Sequence, residues 1–282
     1  MAATNDLTVA ICQMTSTDDV DANLMQIESL IEQIDPAQGV RIAFFPENAL
    51  YLRLKEGESI RGVLLEDDVV AKLQEHARSR RMHLHLVSPF RLDGHLYNSS
   101  LWITDFGELR PSYQKMHLFD IALINGPTVR ESDVFRHGSA PSIIEVDGWR
   151  FGESICYDLR FSELYSLYAR NGVDGILVPA AFLSKTGEAH WDILLRARAI
   201  ESQCYVLAAA QAGVHRGTDG GVRETYGHSL VVAPWGSVSQ QLKEKGPGVL
   251  IQTLQRAELE RVRSQIPMSD HRRLPLGMTL PR

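Results

Sequence analysis

The chain has 282 residues, 44% of them hydrophobic and 23% charged, so it is long enough to bury a substantial core as one large α/β domain or two small ones. A net charge of −6 without a basic cluster points away from nucleic acid. The apolar runs are too short and too interrupted to span a bilayer, and MAATNDLTVAICQM has no basic stretch of the secretory kind. Cys12, Cys156 and Cys204 are too few for a disulfide framework and none is spaced CxxC, so a reducing, cytoplasmic setting is expected.

Strand-like runs alternate with amphipathic helices. LTVAICQM (Leu7–Met14) opens the series. Asp18 or Asp21 is placed to cap a helix whose apolar face carries Leu24, Ile27, Ile31 and Ile34. Arg41–Phe45 reads as a strand, and a helix near Glu66–Arg80 buries Val69, Val70 and Leu73. MHLHLVSPF and NSSLWITD form neighbouring strands around Asp93–Gly94. His117–Gly138 has little periodicity and reads as a long, functional loop.

SIIEVDGWRFGESIC gives two strands about the hairpin signal Asp147–Gly148. A helix with Phe161, Leu164, Leu167 and Tyr168 follows. GILVPAAF, a helix from His190 to Gln203 and CYVLAAAQA repeat the β–α–β pattern. HSLVVAPWG, GVLIQTLQ and a charged helix (Arg256–Ser264) complete it. No composition break marks a linker, so one domain is expected, with a core of about 7–265 and a tail over 266–282. The pattern fits two packed sheets covered by helices, or a single doubly wound sheet.

Three residues stand where a strand ends and a loop begins, the position at which α/β proteins place reactive groups. They are Glu47 after RIAFFP, Lys115 after PSYQ and Cys156 after GWRFGESI. A thiol with an ordinary pKa of ~8.5 is only about 3% thiolate at neutral pH, so a cysteine nucleophile needs a base or an electropositive site. Glu47 is the candidate base, and burial behind FFP is expected to raise its pKa. Lys115 and the backbone N–H of Tyr157 are candidates to stabilise a tetrahedral oxyanion. Each residue alone has a plain alternative: Cys156 as an inert core thiol, Glu47 and Lys115 as solvated strand-end charges. Cys12 and Cys204 read as core.

Other chemistries are poorly supported. Gly227-His228-Ser229 lacks the final glycine of a nucleophile elbow and falls at a strand's start. No GxxxxGK[ST], GxGxxG or HExxH occurs. His83 and His85 share a strand face, but without a third ligand an edge-facing polar stripe is the simpler reading, and no metal or cofactor is expected.

FFPE, YQKMHLFD and GESICYDLRF together resemble the nitrilase superfamily of carbon–nitrogen hydrolases, over nearly the whole length. The resemblance implies Glu47, Lys115 and Cys156 as catalytic residues, with an additional active-site glutamate at Glu131 in GPTVRESD. It implies a four-layer α-β-β-α sandwich of two mixed sheets packed face to face. It also implies a homodimer or higher even oligomer, with the helix after the cysteine and the helix from His190 at the subunit contact. TGEAHWDILLRARAIESQCYVLAAAQ and YGHSLVVAPWG are similar to the deaminated glutathione amidases. Ser162 stands where the family usually has proline, and PENALYLRL departs from its aromatic-rich stretch.

The expected activity is therefore hydrolysis of a small carboxylate-bearing amide through a cysteine thioester, with release of ammonia or an amine. Nitrile or N-carbamoyl amide hydrolysis is the nearest alternative, and a non-catalytic binding or scaffold protein the alternative from another class. An ammonia-feeding domain is disfavoured because no synthetase module follows residue 282. Arg160 is a candidate clamp for a substrate carboxylate, or else the partner of an acid such as Glu163. Asp120, His190 and Tyr226 are candidates for lining the pocket, and the glycine-rich HRGTDGGVRE has no assigned role. Arg196, Arg198 and Glu201 read as structural or interface residues.

Overall fold

A computed structural model describes residues 6–55, 60, 62–122 and 128–275. In chain order the first half contains β1 (Leu7–Gln13), α1 (Val20–Glu32), β2 (Ile42–Phe44), α2 (Asp68–Arg80), β3 (His83–Leu92), β4 (His95–Ile103) and β5 (Leu109–Gln114). The short strands β6 (Asp120–Ala122) and β7 (Thr128–Arg130) pair with each other, and β8 (Ile143–Val146) and β9 (Trp149–Glu153) form a hairpin. The second half adds α3 (Ser162–Arg170), β10 (Gly175–Leu177), α4 (Ser184–Ser202), β11 (Tyr205–Ala208), β12 (Ala212–Arg216), β13 (Val222–Tyr226), β14 (Leu230–Val232), β15 (Val238–Gln241), β16 (Gly248–Leu254), α5 (Arg256–Gln265) and α6 (Met268–His271).

Two six-stranded mixed sheets result, ordered β16-β1-β2-β3-β4-β5 and β15-β14-β11-β10-β9-β8. Strand alternation explains why they stack. Val9 and Ile11 of β1, with Ile42 and Phe44 of β2, join Trp149, Phe151 and Ile176 in the core between the sheets. The intervening Ala10, Cys12 and Ala43 point the other way, into a core with Leu24, Ile27 and Ile31 of α1 and Val70 and Leu73 of α2. Leu164 and Tyr168 of α3, with Trp191 and Leu195 of α4, cover the second sheet. The order of layers is α-β-β-α, which decides between the two architectures left open by the pattern.

Several boundaries differ from expectation. The cap of α1 is Asp19, whose Oδ1 accepts from the N–H of Asp21 and Ala22 at 3.0 and 3.1 Å. Asp18 instead binds Thr218 across the molecule. Helix α4 begins at Ser184 rather than His190. Gly187 disfavours a helix by propensity, but Tyr226 packs where its side chain would be, so close packing overrides the local preference. The aperiodic His117–Gly138 stretch holds β6, β7 and a 3-10 turn at Glu131–Asp133, units too short to show a period. His83 and His85 lie on an interior strand, not an edge. His85 reaches across the inter-sheet core to Glu153 at 3.0 Å, and His83 stacks on Trp102. Among the described residues no helix is long and apolar enough to cross a membrane, and no three His, Cys, Asp or Glu side chains could hold a metal ion.

Gly138 holds the end of β5 in place: its N–H donates to the Lys115 carbonyl at 2.8 Å, and a Cβ there would collide with the Gln114 backbone carbonyl. Gly138→Ala is expected to lower unfolding free energy by about 1–3 kcal/mol through overpacking against immovable backbone, measurable by urea denaturation.

Candidate active site

In the first sheet β1, β2 and β3 run parallel, and β5 runs the same way as β3 because both are antiparallel to β4. In the second sheet β9, β10 and β11 run parallel. Glu47 follows β2, Lys115 follows β5 and Cys156 follows β9, so each occupies the carboxyl end of its strand. The structure brings all three to the lining of one cavity. They are 2%, 1% and 9% exposed, which removes the solvated-charge reading of Glu47 and Lys115.

The Lys115 ammonium lies between two carboxylates. Its Nζ is 2.8 Å from Glu47 Oε1 and 3.0 and 2.9 Å from Oε1 and Oε2 of Glu131. Glu131 Oε2 also accepts from the Phe119 N–H at 2.8 Å, so it both pairs with the lysine and braces its loop. Glu47 is held by further donors: Asn98 Nδ2 at 2.7 Å on Oε1 and the Ala181 N–H at 3.0 Å on Oε2. The Asn98 carbonyl also accepts the Lys115 backbone N–H, at 2.9 Å, and so ties both charged residues to β4.

Electrostatics correct one expectation. Burial pushes the Glu47 carboxyl up, but the charge and hydrogen bond of Lys115, the hydrogen bond from Cys156 and the field of Arg223 hold it below the ordinary value. Lys115 is lowered by burial and raised more strongly by Glu131 and Glu47, so it stays charged. The Cys156 thiol is driven well above its usual value by burial and by the charge of Glu47, partly offset by Lys115. The resting site is therefore carboxylate, ammonium and thiol. Burial likewise pushes Cys12 up, and Cys204 up to about 12, as core thiols should behave.

Cys156 has a backbone φ of +48°, a left-handed conformation that L residues adopt at some cost in strain. Its own N–H is bonded to the Pro179 carbonyl at 2.9 Å, and Asp158 closes the turn behind it. Among the described residues no backbone or side-chain acceptor takes up the Tyr157 N–H, leaving that donor open beside the sulfur.

Phe119, Val129, Phe135, Phe182 and Leu183 form the apolar lining. Arg160 also lines the cavity, its guanidinium over the rings of Tyr157 and Phe182 and 3.3 Å from His190 Nδ1; among the described residues no carboxylate pairs with it. The expected alternative, an ion pair with Glu163, is thus absent. Asp120 is a correction: it is exposed, lies outside the cavity and caps the following turn through the Ser132 N–H at 3.0 Å. His190 and Tyr226 also lie outside the lining. Arg198 is structural, donating to the Leu159 carbonyl at 2.8 and 3.1 Å.

Sequence reasoning missed Asn98, the Ala181 N–H and Arg223. Arg223 comes from the glycine-rich segment, which folds as the β12–β13 hairpin. Its buried Nε has no hydrogen-bond partner among the described residues. The hairpin is pinned by His215, whose Nδ1 is 2.7 Å from the Ser16 carbonyl, and at its tip by Thr218 on Asp18.

Comparison with known proteins bears on the family and the fold. The profile of the family described as carbon-nitrogen hydrolase matches residues 8–264. A deaminated glutathione amidase of Rattus norvegicus is 36% identical over 283 residues, covering 97% of this chain and 84% of its own. The crystal structure of the C. elegans NitFhit protein superposes with a TM-score of 0.84 at 34% identity, covering 96% of this chain and 66% of that one. Saccharomyces cerevisiae Nit3, described as a member of branch 10 of the nitrilase superfamily, superposes with a TM-score of 0.81 at 27% identity, covering 95% and 97%.

Replacing the carboxylate separates its two effects on sulfur. Glu47→Gln is expected to slow amide hydrolysis by about 10²–10⁴-fold, the usual worth of a general base. Because removing the anion favours thiolate, the pH midpoint for alkylation of Cys156 by iodoacetamide should move down, not up. Mass spectrometry of alkylation against pH measures it; an upward shift contradicts the electrostatic account.

Proposed function

The chain belongs to the carbon–nitrogen hydrolase family of the nitrilase superfamily, as an amidase acting on bonds other than peptide bonds, and we propose that it cleaves a small carboxylate-bearing amide of the deaminated-glutathione or ω-amide type through a Cys156 thioester. The observation that carries this reading is the convergence of Glu47, Lys115 and Cys156 in a cavity that also presents Arg160 and Arg223, two arginines without a carboxylate partner among the described residues. Water-poor walls strengthen the pull of such cations on a substrate carboxylate.

In the proposed reaction Cys156 Sγ attacks the amide carbon as its proton passes to Glu47. Negative charge develops on the former carbonyl oxygen, facing Lys115 and the open Tyr157 N–H. As the ammonium turns toward that oxygen it holds Glu47 less tightly, so the carboxylate becomes a better proton acceptor when one is needed. Glu47 then gives the proton to nitrogen, the C–N bond breaks, and ammonia or an amine leaves. Water, deprotonated by Glu47, attacks the thioester; the acid departs and the thiol is restored. Glu131 keeps Lys115 charged and offers an oxygen to the substrate amide.

The same reading takes residues 1–282 as one domain, supported by the inter-sheet core that joins both halves. It takes the protein as a homodimer through α3 and α4, where Ile193 and Ile200 leave apolar surface exposed. Three unpaired cysteines suit a cytoplasmic setting.

Intact mass after brief exposure to a panel of amides, nitriles and N-carbamoyl compounds tests the proposal: an acyl adduct on wild type, absent in Cys156→Ala, is expected for the amides. Turnover by Cys156→Ala would refute it. Arg160→Ala and Arg223→Ala should each lower kcat/KM by about 10- to 100-fold for carboxylate-bearing amides, the worth of a charged hydrogen bond, and much less for neutral ones.

A further inference from the structure

Asp158 is fully buried and takes no part in the reaction sequence above, yet its carboxylate is saturated with donors from two different elements. Oδ2 accepts from the Ile155 N–H at 2.9 Å and from the Tyr113 hydroxyl at 2.8 Å. Oδ1 accepts from the His117 N–H at 3.0 Å and from His117 Nδ1 at 2.6 Å. Ile155 immediately precedes the nucleophile. Tyr113 and His117 lie two residues either side of Lys115, and the Tyr113 hydroxyl also accepts from the Met116 N–H at 3.3 Å.

We propose that Asp158 is a positioning residue that clamps the strained Cys156 turn to the segment carrying Lys115, and so sets the separation of sulfur and ammonium across the inter-sheet gap. The proposal rests on the assignment of Cys156 and Lys115 above. No hydrogen-bonded ladder links the two segments, because β5 and β9 belong to different sheets. A rigid side-chain bridge supplies what backbone pairing cannot. His117 adds stiffness: its ring stacks on Phe161, at the end of the nucleophile turn, with centroids 3.7 Å apart. Glutamate would push the turn outward, and asparagine would present an N–H₂ to a pair of existing donors.

Asp158→Asn tests this by three readings on the same purified protein: steady-state kinetics on a carboxylate-bearing amide, the rate at which iodoacetamide alkylates Cys156, and cooperative unfolding. Alkylation needs the thiol but no oxyanion donor. We expect kcat to fall by about 100-fold, the effect of roughly ångström-scale misplacement of reacting groups, with KM and alkylation little changed and a single cooperative unfolding transition kept at lower stability. An unchanged kcat, or a kcat that falls only in step with the alkylation rate, overturns the proposal. Should Asp158→Asn not fold, Tyr113→Phe removes one of the four donors, and a kcat lowered about five- to tenfold at constant KM is expected; no change there overturns it equally. Turnover by Cys156→Ala would instead defeat the underlying assignment, so the two failures are distinct.

Discussion

An ammonium sealed between two carboxylates is the contact on which the site depends. Taking a charge out of water costs several kcal/mol, so Lys115 could not stay ionised at 1% exposure without Glu47 and Glu131. Nor could the two glutamates share so small a volume without the lysine, since like charges in a dry site drive one carboxyl to its neutral form. Each partner is in turn fixed by uncharged donors: Glu47 by Asn98 and the Ala181 N–H, Glu131 by the Phe119 N–H. The geometry of the charges is thus inherited from the backbone of both sheets.

That inheritance explains what was legible in the sequence. Strand ends are readable from apolar runs, and the reactive residue types at three of them stand out from the residues alone, as does Glu131 once the resemblance is drawn. The face-to-face stacking is not readable from pattern alone, because an inward residue such as Ile11 and an outward one such as Ala10 are both simply apolar. Asn98 is hidden for a related reason. It sits beside Lys115 through the pairing of β4 with β5, and that register, shifted between Ser100 and Leu101, is a property of two strands together.

The loop after β5 shows how close a wrong assignment can lie to a right one. Asp120 and Glu131 are both acids in one aperiodic stretch, and β6 pairs Asp120 directly with Arg130, next to Glu131. Strand β7 ends at Arg130 and Glu131 opens the 3-10 turn, so one acid meets Lys115 while the other caps that turn from an exposed position. Similarly, glycines in HRGTDGGVRE suggest a loose loop. They permit a hairpin to cross close over Leu54, with Gly217 and Gly221 at the approach, and so to deliver Arg223.

The protonation pattern has a chemical consequence. A cysteine kept as thiolate by a cationic partner is reactive toward many electrophiles at rest. Here burial and Glu47 oppose ionisation of Cys156, and Lys115 only partly offsets them. In the proposed reaction sulfur becomes strongly nucleophilic as charge begins to develop on the acyl oxygen, which draws the ammonium and frees Glu47 to accept the proton. Under the proposed mechanism, activation is coupled to occupancy by a carbonyl oxygen that fits the Tyr157 N–H. The arginines serve that coupling, since a substrate carboxylate held by them fixes how deep the carbonyl sits. Selectivity and reactivity then arise from the same placement, and a compound lacking the anion enters without the contact that seats its carbonyl and is turned over less readily.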